Sequence, residues 1–134
     1  MDHHEYLSNN SRLKVIIAES NPDIAAMLIP ALANENFTAI GCSAVNEVLE
    51  YEHDHIDALL VNVDFDDYSG SQLIEHVRQL PIGKSIPIIA YSNSEDSNDV
   101  LDTLNSGADD YLLMPFTARD VALKVRQIAG GKNA

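Results

Sequence analysis

The chain has 134 residues, 46% of them hydrophobic, and a formal net charge of −13. That length fits one domain with a single sizeable core, and no apolar run reaches the length needed to span a bilayer. The charge argues against direct binding of nucleic acid, because phosphate contacts need Lys and Arg.

Residues 1–12 are polar and without usable periodicity, which reads as a flexible N-terminal arm. The arm lacks the basic region and apolar core of a secretory signal, and Cys42, the single cysteine, has no internal disulfide partner. A cytoplasmic setting is therefore expected. From 13 to 129, short apolar runs alternate with amphipathic segments. The first run, Val15 to Ala18, stops at Glu19-Ser20. Asn21-Pro22-Asp23 then offers a cap and a proline in the first turn of a helix over 22–35. Pro30 predicts a kink inside it, and Asn36 a left-handed stop. A second run, Phe37 to Ile40, precedes a helix over 44–53. The third run, Ala58 to Val61, closes on Asn62 and leads to a helix over 70–80.

The fourth run, Ile86 to Tyr91, ends at Ser92. A weakly apolar helix over 95–106 follows, with Val100, Leu101 and Leu104 facing inward, and is expected to be the most labile element. Gly107 ends it. The fifth run, Tyr111 to Leu113, leads to a helix over 117–129 with an inner face at Val121, Val125 and Ile128. Residues 130–134 read as a linker or tail. Continuous apolar runs suit strands buried on both faces. Five strand–helix alternations predict a doubly wound α/β parallel sheet with right-handed crossovers, and five helices. In such a sheet ligands sit beyond the strands' carboxyl ends, at the switch point between strands one and three. Those ends are Glu19-Ser20 and Asn62.

No Ser-His-Asp or Cys-His arrangement is legible, and no Gly-rich cradle follows the first strand. His53 and His55 sit in a loop, His3 and His4 in the arm, and His76 on the outer side of the third helix. Asp64, Asp66 and Asp67 read as a solvated acidic loop. Arg119, Lys124, Arg126 and Lys132 concentrate the basic residues near the C-terminus, either as a solvated helix face suited to the helix dipole or as a partner-facing patch.

Asp57 to Gly70 and Gly107 to Phe116 resemble the third and fifth strands, with their loops, of bacterial two-component response regulator receiver domains. The resemblance covers about residues 13–129 and implies a flavodoxin-like sheet in the order 2-1-3-4-5. In that family an acceptor aspartate closes the third apolar run, with a glycine eight residues later. Asn62 to Gly70 keeps this spacing and Asp64 to Gly70 does not. An amide cannot replace the carboxylate, because its nitrogen is a donor and its oxygen a poor nucleophile. The two family acids that hold Mg²⁺ correspond to Glu19 and Ser20, and the family lysine before proline to Met114. A lysine retained without those carboxylates would be a poorly paired cation costing on the order of 3–5 kcal/mol. Methionine fills the same length with an apolar chain. Phe65-Asp66 replaces a Met-Pro-like pair, so the shape of that loop is also expected to differ.

The resemblance further implies a cis Met114–Pro115 bond and a switch pair of Ser92 and Tyr111. It implies a phosphorylation-independent pseudo-receiver: a non-enzymatic signalling module with no cofactor, Glu19 its lone candidate metal ligand. Its partner would be another signalling protein or a fused output domain. A competing reading is a ligand sensor whose vacated pocket binds a small molecule. A third, an active phosphoacceptor at Asp64, has the wrong spacing and no lysine at 114. The relatives' dimer face corresponds to Asp102, Asp109, Asp110, Tyr111, Asp120, Lys124 and Arg126. The fourth helix, however, carries Asp99 and Asp102 and no Lys or Arg between Glu95 and Gly107. Asp102 facing Asp120 across a two-fold axis repels, so a monomer or a dimer through another face is expected.

Overall fold

Alternate residues of each short apolar run face opposite sides of one sheet, and this alternation organises two cores. Ile16, Ala18, Leu59, Val61, Ile88 and Ala90 point to one layer, and Val15, Ile17, Ala58, Leu60, Ile89 and Tyr91 to the other. The computed structural model describes residues 12–51, 55–64, 69–93 and 96–132. In chain order the elements are β1 (Leu13–Ala18), α1 (Pro22–Ala33), β2 (Phe37–Cys42), α2 (Val45–Leu49) and β3 (Ala58–Asn62). There follow α3 (Gly70–Gln79), a 3₁₀ turn (Pro81–Gly83), β4 (Ile88–Ser92), α4 (Ser97–Asn105), β5 (Asp110–Leu113) and α5 (Ala118–Lys132). All strand pairs are parallel, in the order β2-β1-β3-β4-β5. Helices α1 and α5 cover one face through Leu28, Leu32, Val121, Ala122 and Val125. Helices α2, α3 and α4 cover the other through Val48, Leu73, Ile74, Val77 and Leu104. This is the flavodoxin-like α/β fold expected.

The stops and starts have local causes. Asn21 accepts the Asp23 N–H at the start of α1, and Ser69 and Gln72 form a reciprocal capping box on α3. Asn36 has φ 70° and Gly107 φ 122°, the left-handed stops expected after α1 and α4. The helix α1 continues past Pro30 to Ala33. Met114–Pro115 is cis.

Four expectations shift. The strand β4 begins at Ile88 rather than Ile86, because the Ile86 carbonyl accepts from Arg78 Nη1 at 2.7 Å and the ladder resumes at the Pro87 carbonyl. The helix α2 ends at Leu49, short of residue 53, and Ala44, in the cap position before Val45, gives it no side-chain cap. In α4 the fully buried residue is Thr103, its hydroxyl satisfied by the Asp99 carbonyl at 2.8 Å, while Leu101 is 56% exposed. The helix α5 runs to Lys132 where a tail was expected from 130; the roughly 1 kcal/mol cost of each glycine does not outweigh continuing the backbone bonds. The expected arm through residue 11, His53, Phe65, Asp66 and Asp67 lie outside the described residues.

Candidate functional site

Parallel register brings the carboxyl ends of three strands together. Ala18 pairs with Val61 and Asn62 with Tyr91, so Glu19, Asn62 and Tyr91 stand side by side. Glu19 is 3% exposed, Asn62 9% and Tyr91 0%. Glu19 Oε1 accepts from Tyr91 Oη at 2.6 Å and from Asn62 Nδ2 at 2.9 Å, while Oε2 accepts the Asn21 N–H at 3.0 Å. The other end of the Asn62 amide accepts the Asp64 N–H at 2.9 Å. Asn62 thus donates on one side and accepts on the other, a combination that a carboxylate cannot supply. Burial, and then the bond to Glu19 and its charge, push the Tyr91 phenol far above its usual range. At neutral pH it is a donor only to the acid it touches.

The glycine spacing that marks Asn62 also has a steric cause. A Cβ at Gly70 would come within 2.7 Å of Val63 Cα and 2.8 Å of the Asn62 carbonyl oxygen, so only glycine lets α3 start this close to the end of β3. Met114 and Phe116 pack on the same cluster as Tyr91, whose ring meets Phe116 edge-on at 5.1 Å. The position expected to carry a cation in relatives is part of an apolar wall.

Divalent metal fits this arrangement poorly. Both Glu19 oxygens are engaged by neutral donors, the amide oxygen of Asn62 holds the following loop, and Ser20 offers no charge. Mg²⁺ sheds water reluctantly and needs carboxylates in return. Among the described residues no group of three or more His, Cys, Asp or Glu converges.

Ser92 is 1% exposed, and its Oγ donates to Asp64 Oδ2 at 3.2 Å. Tyr111 is half-buried against the core beneath α3 and α4. The expected interaction face is brought together only in part. Lys124 pairs with Asp110 at 2.6 Å, and Asp120 and Thr117 cap the start of α5 reciprocally. Asp109 instead holds Arg78 and the Ile88 N–H. Arg126 lies on the far side of α5, donating to the Glu35 carbonyl and stacking over Phe37. These two residues are drawn from the expected face, Asp109 by the Arg78 guanidinium and the Ile88 N–H and Arg126 by the Glu35 carbonyl and the Phe37 ring. His55 meets Asp57 at 2.9 Å, the far end of the sheet from the site.

Sequence reading overlooked Tyr91, which ends an apolar run and looks like core. Its signal was available, since a buried tyrosine hydroxyl usually needs a partner. Tyr91→Phe keeps the ring and leaves Glu19 short of one donor. Unfolding in urea is expected to show a loss of about 1–3 kcal/mol, the usual cost of a hydrogen bond removed from a charged buried group.

A model of the response regulator receiver domain family matches residues 15–126. The DNA-binding response regulator MtrA of Mycolicibacterium smegmatis is 30% identical over 119 residues, 86% of this chain and 50% of that protein. The chain spans about half the length of the curated relatives it matches. A putative response regulator from Chloroflexus aurantiacus superposes with a TM-score of 0.82 at 25% identity, covering 90% of this chain and 99% of that one. The receiver domain of the sensor histidine kinase PA1611 of Pseudomonas aeruginosa, described with a magnesium ion coordinated in its active site cleft, gives 0.81 at 21%, covering 90% and 99%.

Proposed function

The chain belongs to the response regulator receiver domain family of two-component signalling, and within that family we propose a pseudo-receiver that signals without phosphorylation. Receiver domains act on other signalling proteins or output domains. In the reading proposed here this one does so by protein contact alone, with no catalytic residue of its own. One observation carries the proposal: the buried Glu19 carboxylate is closed off by Tyr91, Asn62 and the Asn21 N–H, and Asn62 is held as an amide at both ends. Such a site offers neither the nucleophile nor the anionic metal seat that phosphoryl transfer needs. The intramolecular Lys124–Asp110 pair and the acidic α4 favour a heterologous partner with a basic surface over self-pairing through α4, β5 and α5. Incubation with acetyl phosphate and Mg²⁺, read by intact mass under conditions that preserve acyl phosphates, is expected to leave the chain unmodified. A stoichiometric phosphoryl adduct contradicts the proposal.

A second reading, the small-molecule sensor, has one observation in its favour. A groove of about 300 Å³ opens beside Glu19, walled by Pro22, Ala25, Ala26, Ile29 and Gly41. Cys42 lies in its lining, and burial with the nearby Glu47 and Glu50 pushes that thiol up to about 11, so it supplies packing rather than a nucleophile. A thermal-shift screen of metabolites separates the readings: saturable stabilisation by one compound, lost in Ala25→Leu, supports the sensor.

A further inference from the structure

Between Asp23 and Glu47 only Glu35 is charged, in a chain of net charge −13. That stretch forms α1 and β2, and β2 is an edge of the sheet. Edge strands are usually blunted by a charge, a proline or a bulge, because their open N–H and C=O groups recruit other strands. Phe37–Cys42 has neither charge nor proline. The opposite edge, β5, is short, carries Asp110 bound by Lys124, and runs into Pro115.

The Cys42 carbonyl accepts the Glu19 N–H on the β1 side. Backbone direction alternates along a strand, so Thr38 and Ile40 also turn toward β1, while Ala39 and Gly41 turn outward. Among the described residues no strand pairs with that outer side. Gly41 is exposed and Ala39 half-buried, so their backbone groups are reachable. Beside them α1 exposes Ala26, Pro30 and Met27, the last at 62%, and the groove of about 300 Å³ opens between α1 and Gly41. The two ends of this neutral strip carry opposite charge. Arg12 donates to the Ala33 carbonyl at the end of α1, at 2.6 Å, and Arg126 to the Glu35 carbonyl just before β2. At the other end stand Asp23, in the first turn of α1, and Glu47, in the first turn of α2.

We propose that the β2 edge is a self-association surface: two copies pair antiparallel about a two-fold axis at Ile40, so that one sheet continues into the other. Ala39 and Gly41 of each copy exchange backbone bonds with Gly41 and Ala39 of the other, and the two α1 helices lie side by side. Antiparallel pairing sets the cationic end of each strip, with Arg12, against the acidic end of the other, with Asp23. Charge complementarity therefore selects a second copy: a uniformly basic partner would meet a cation at one end. The symmetric arrangement makes every contact twice and closes at two copies. This inference goes beyond the proposed function and stands or falls separately from it, since neither a phosphodonor nor another protein enters its test.

Sedimentation equilibrium of the full chain, from micromolar to hundreds of micromolar, is expected to show the mass rising from 14.7 kDa toward twice that value and no further. Arg12→Glu and Asp23→Arg should each weaken pairing by about tenfold, and the double variant should regain it, because opposite charges then face each other again. Both residues are exposed, so the variants are expected to fold. A second measurement reads the register. Ile40 faces its own copy at a non-hydrogen-bonded position, where Cα atoms lie about 4.5 Å apart, within the disulfide range of about 4.4–6.8 Å. Mild oxidation should link two copies of Ile40→Cys and leave Leu123→Cys, on α5, and the parent with its buried Cys42 unlinked. A chain that stays monomeric throughout, growth beyond two copies, or a dimer that the charge reversals leave intact would overturn the inference. Pairing that appears only after removal of residues 1–11 would give the edge to that segment, and would overturn it too.

Discussion

Asn62→Asp is expected to lower stability by about 3 kcal/mol at neutral pH and to restore no phosphoryl transfer. The new carboxylate loses the donor that Asn62 Nδ2 places 2.9 Å from Glu19 Oε1 and sets a like charge there instead. Costs of this order are usual when a buried group loses its partner, about 1–3 kcal/mol for the bond and more where charge is left uncompensated. The pH dependence follows from the pair. Two carboxylates in contact raise the folded pKa of one of them above its unfolded value, so the folded variant holds an extra proton. The deficit relative to Asn62 is full above that raised pKa and fades as pH falls toward the ordinary carboxylate range. Urea unfolding of both proteins at about pH 7 and about pH 5 should show the gap narrowing at the lower value. A variant as stable as the parent at both, or one labelled efficiently by acetyl phosphate, is the opposite result. Asn62 is on this account a structural residue whose amide is required.

The second large effect is expected far from that site, at the opposite end of the sheet. Arg78 is half-buried on α3 and ties the α3–β4 connection to the α4–β5 connection. Its Nε donates to the Gly107 carbonyl at 2.9 Å, Nη1 to the Gly83 and Ile86 carbonyls at 3.0 and 2.7 Å, and Nη2 to Asp109 at 2.9 Å. Asp109 in turn accepts the Ile88 N–H at 2.8 Å, so the guanidinium sets the start of β4 and the approach to β5. A Cβ at Gly107 would meet Arg78 Cγ at 2.8 Å, which ties that glycine to the same packing. Arg78→Ala leaves Asp109 without its cation and three carbonyls without their donor, and should cost roughly 3–5 kcal/mol in urea unfolding. Arg78→Lys should recover only a minor part, because a single ammonium cannot span the fork that reaches Gly83, Ile86, Gly107 and Asp109 together. Full stability in the lysine variant would show that charge, rather than the fork, is what matters.

Much of this molecule was legible before its structure. The two periodicities sufficed for five strands and five helices, since runs such as Val15–Ala18 and Ala58–Val61 must bury both faces and helices such as α5 bury one. The position of Asn62 was legible from its spacing to Gly70, and the steric contact at Gly70 explains why that spacing is strict. What periodicity could not reveal were contacts across long stretches of chain. Tyr91 reads as core because its ring is core, and only its hydroxyl, bonded to an acid 72 residues away, gives it a second role. The start of β4 was misplaced because an apolar run says nothing about a carbonyl turned toward an arginine on another element. Thr103 was passed over in α4 because a threonine is not counted as apolar until its hydroxyl is seen bonded to its own helix. The expected face around Asp110 and Lys124 lost Asp109 and Arg126 for a similar reason, since charge pattern does not reveal which other side chains and backbone groups compete for a residue.

The closure of the Glu19 site is tested most directly by following the backbone amides of Glu19, Asn62, Ser92 and Tyr111 by NMR. Mg²⁺ is added first, then beryllofluoride, which mimics an aspartyl phosphate. Because Glu19 is occupied by Tyr91 and Asn62, these amides are expected to stay in place through both additions. Saturable shifts at Glu19 and Asn62 with Mg²⁺, followed by a second set of signals for Ser92 and Tyr111 with beryllofluoride, would contradict the account.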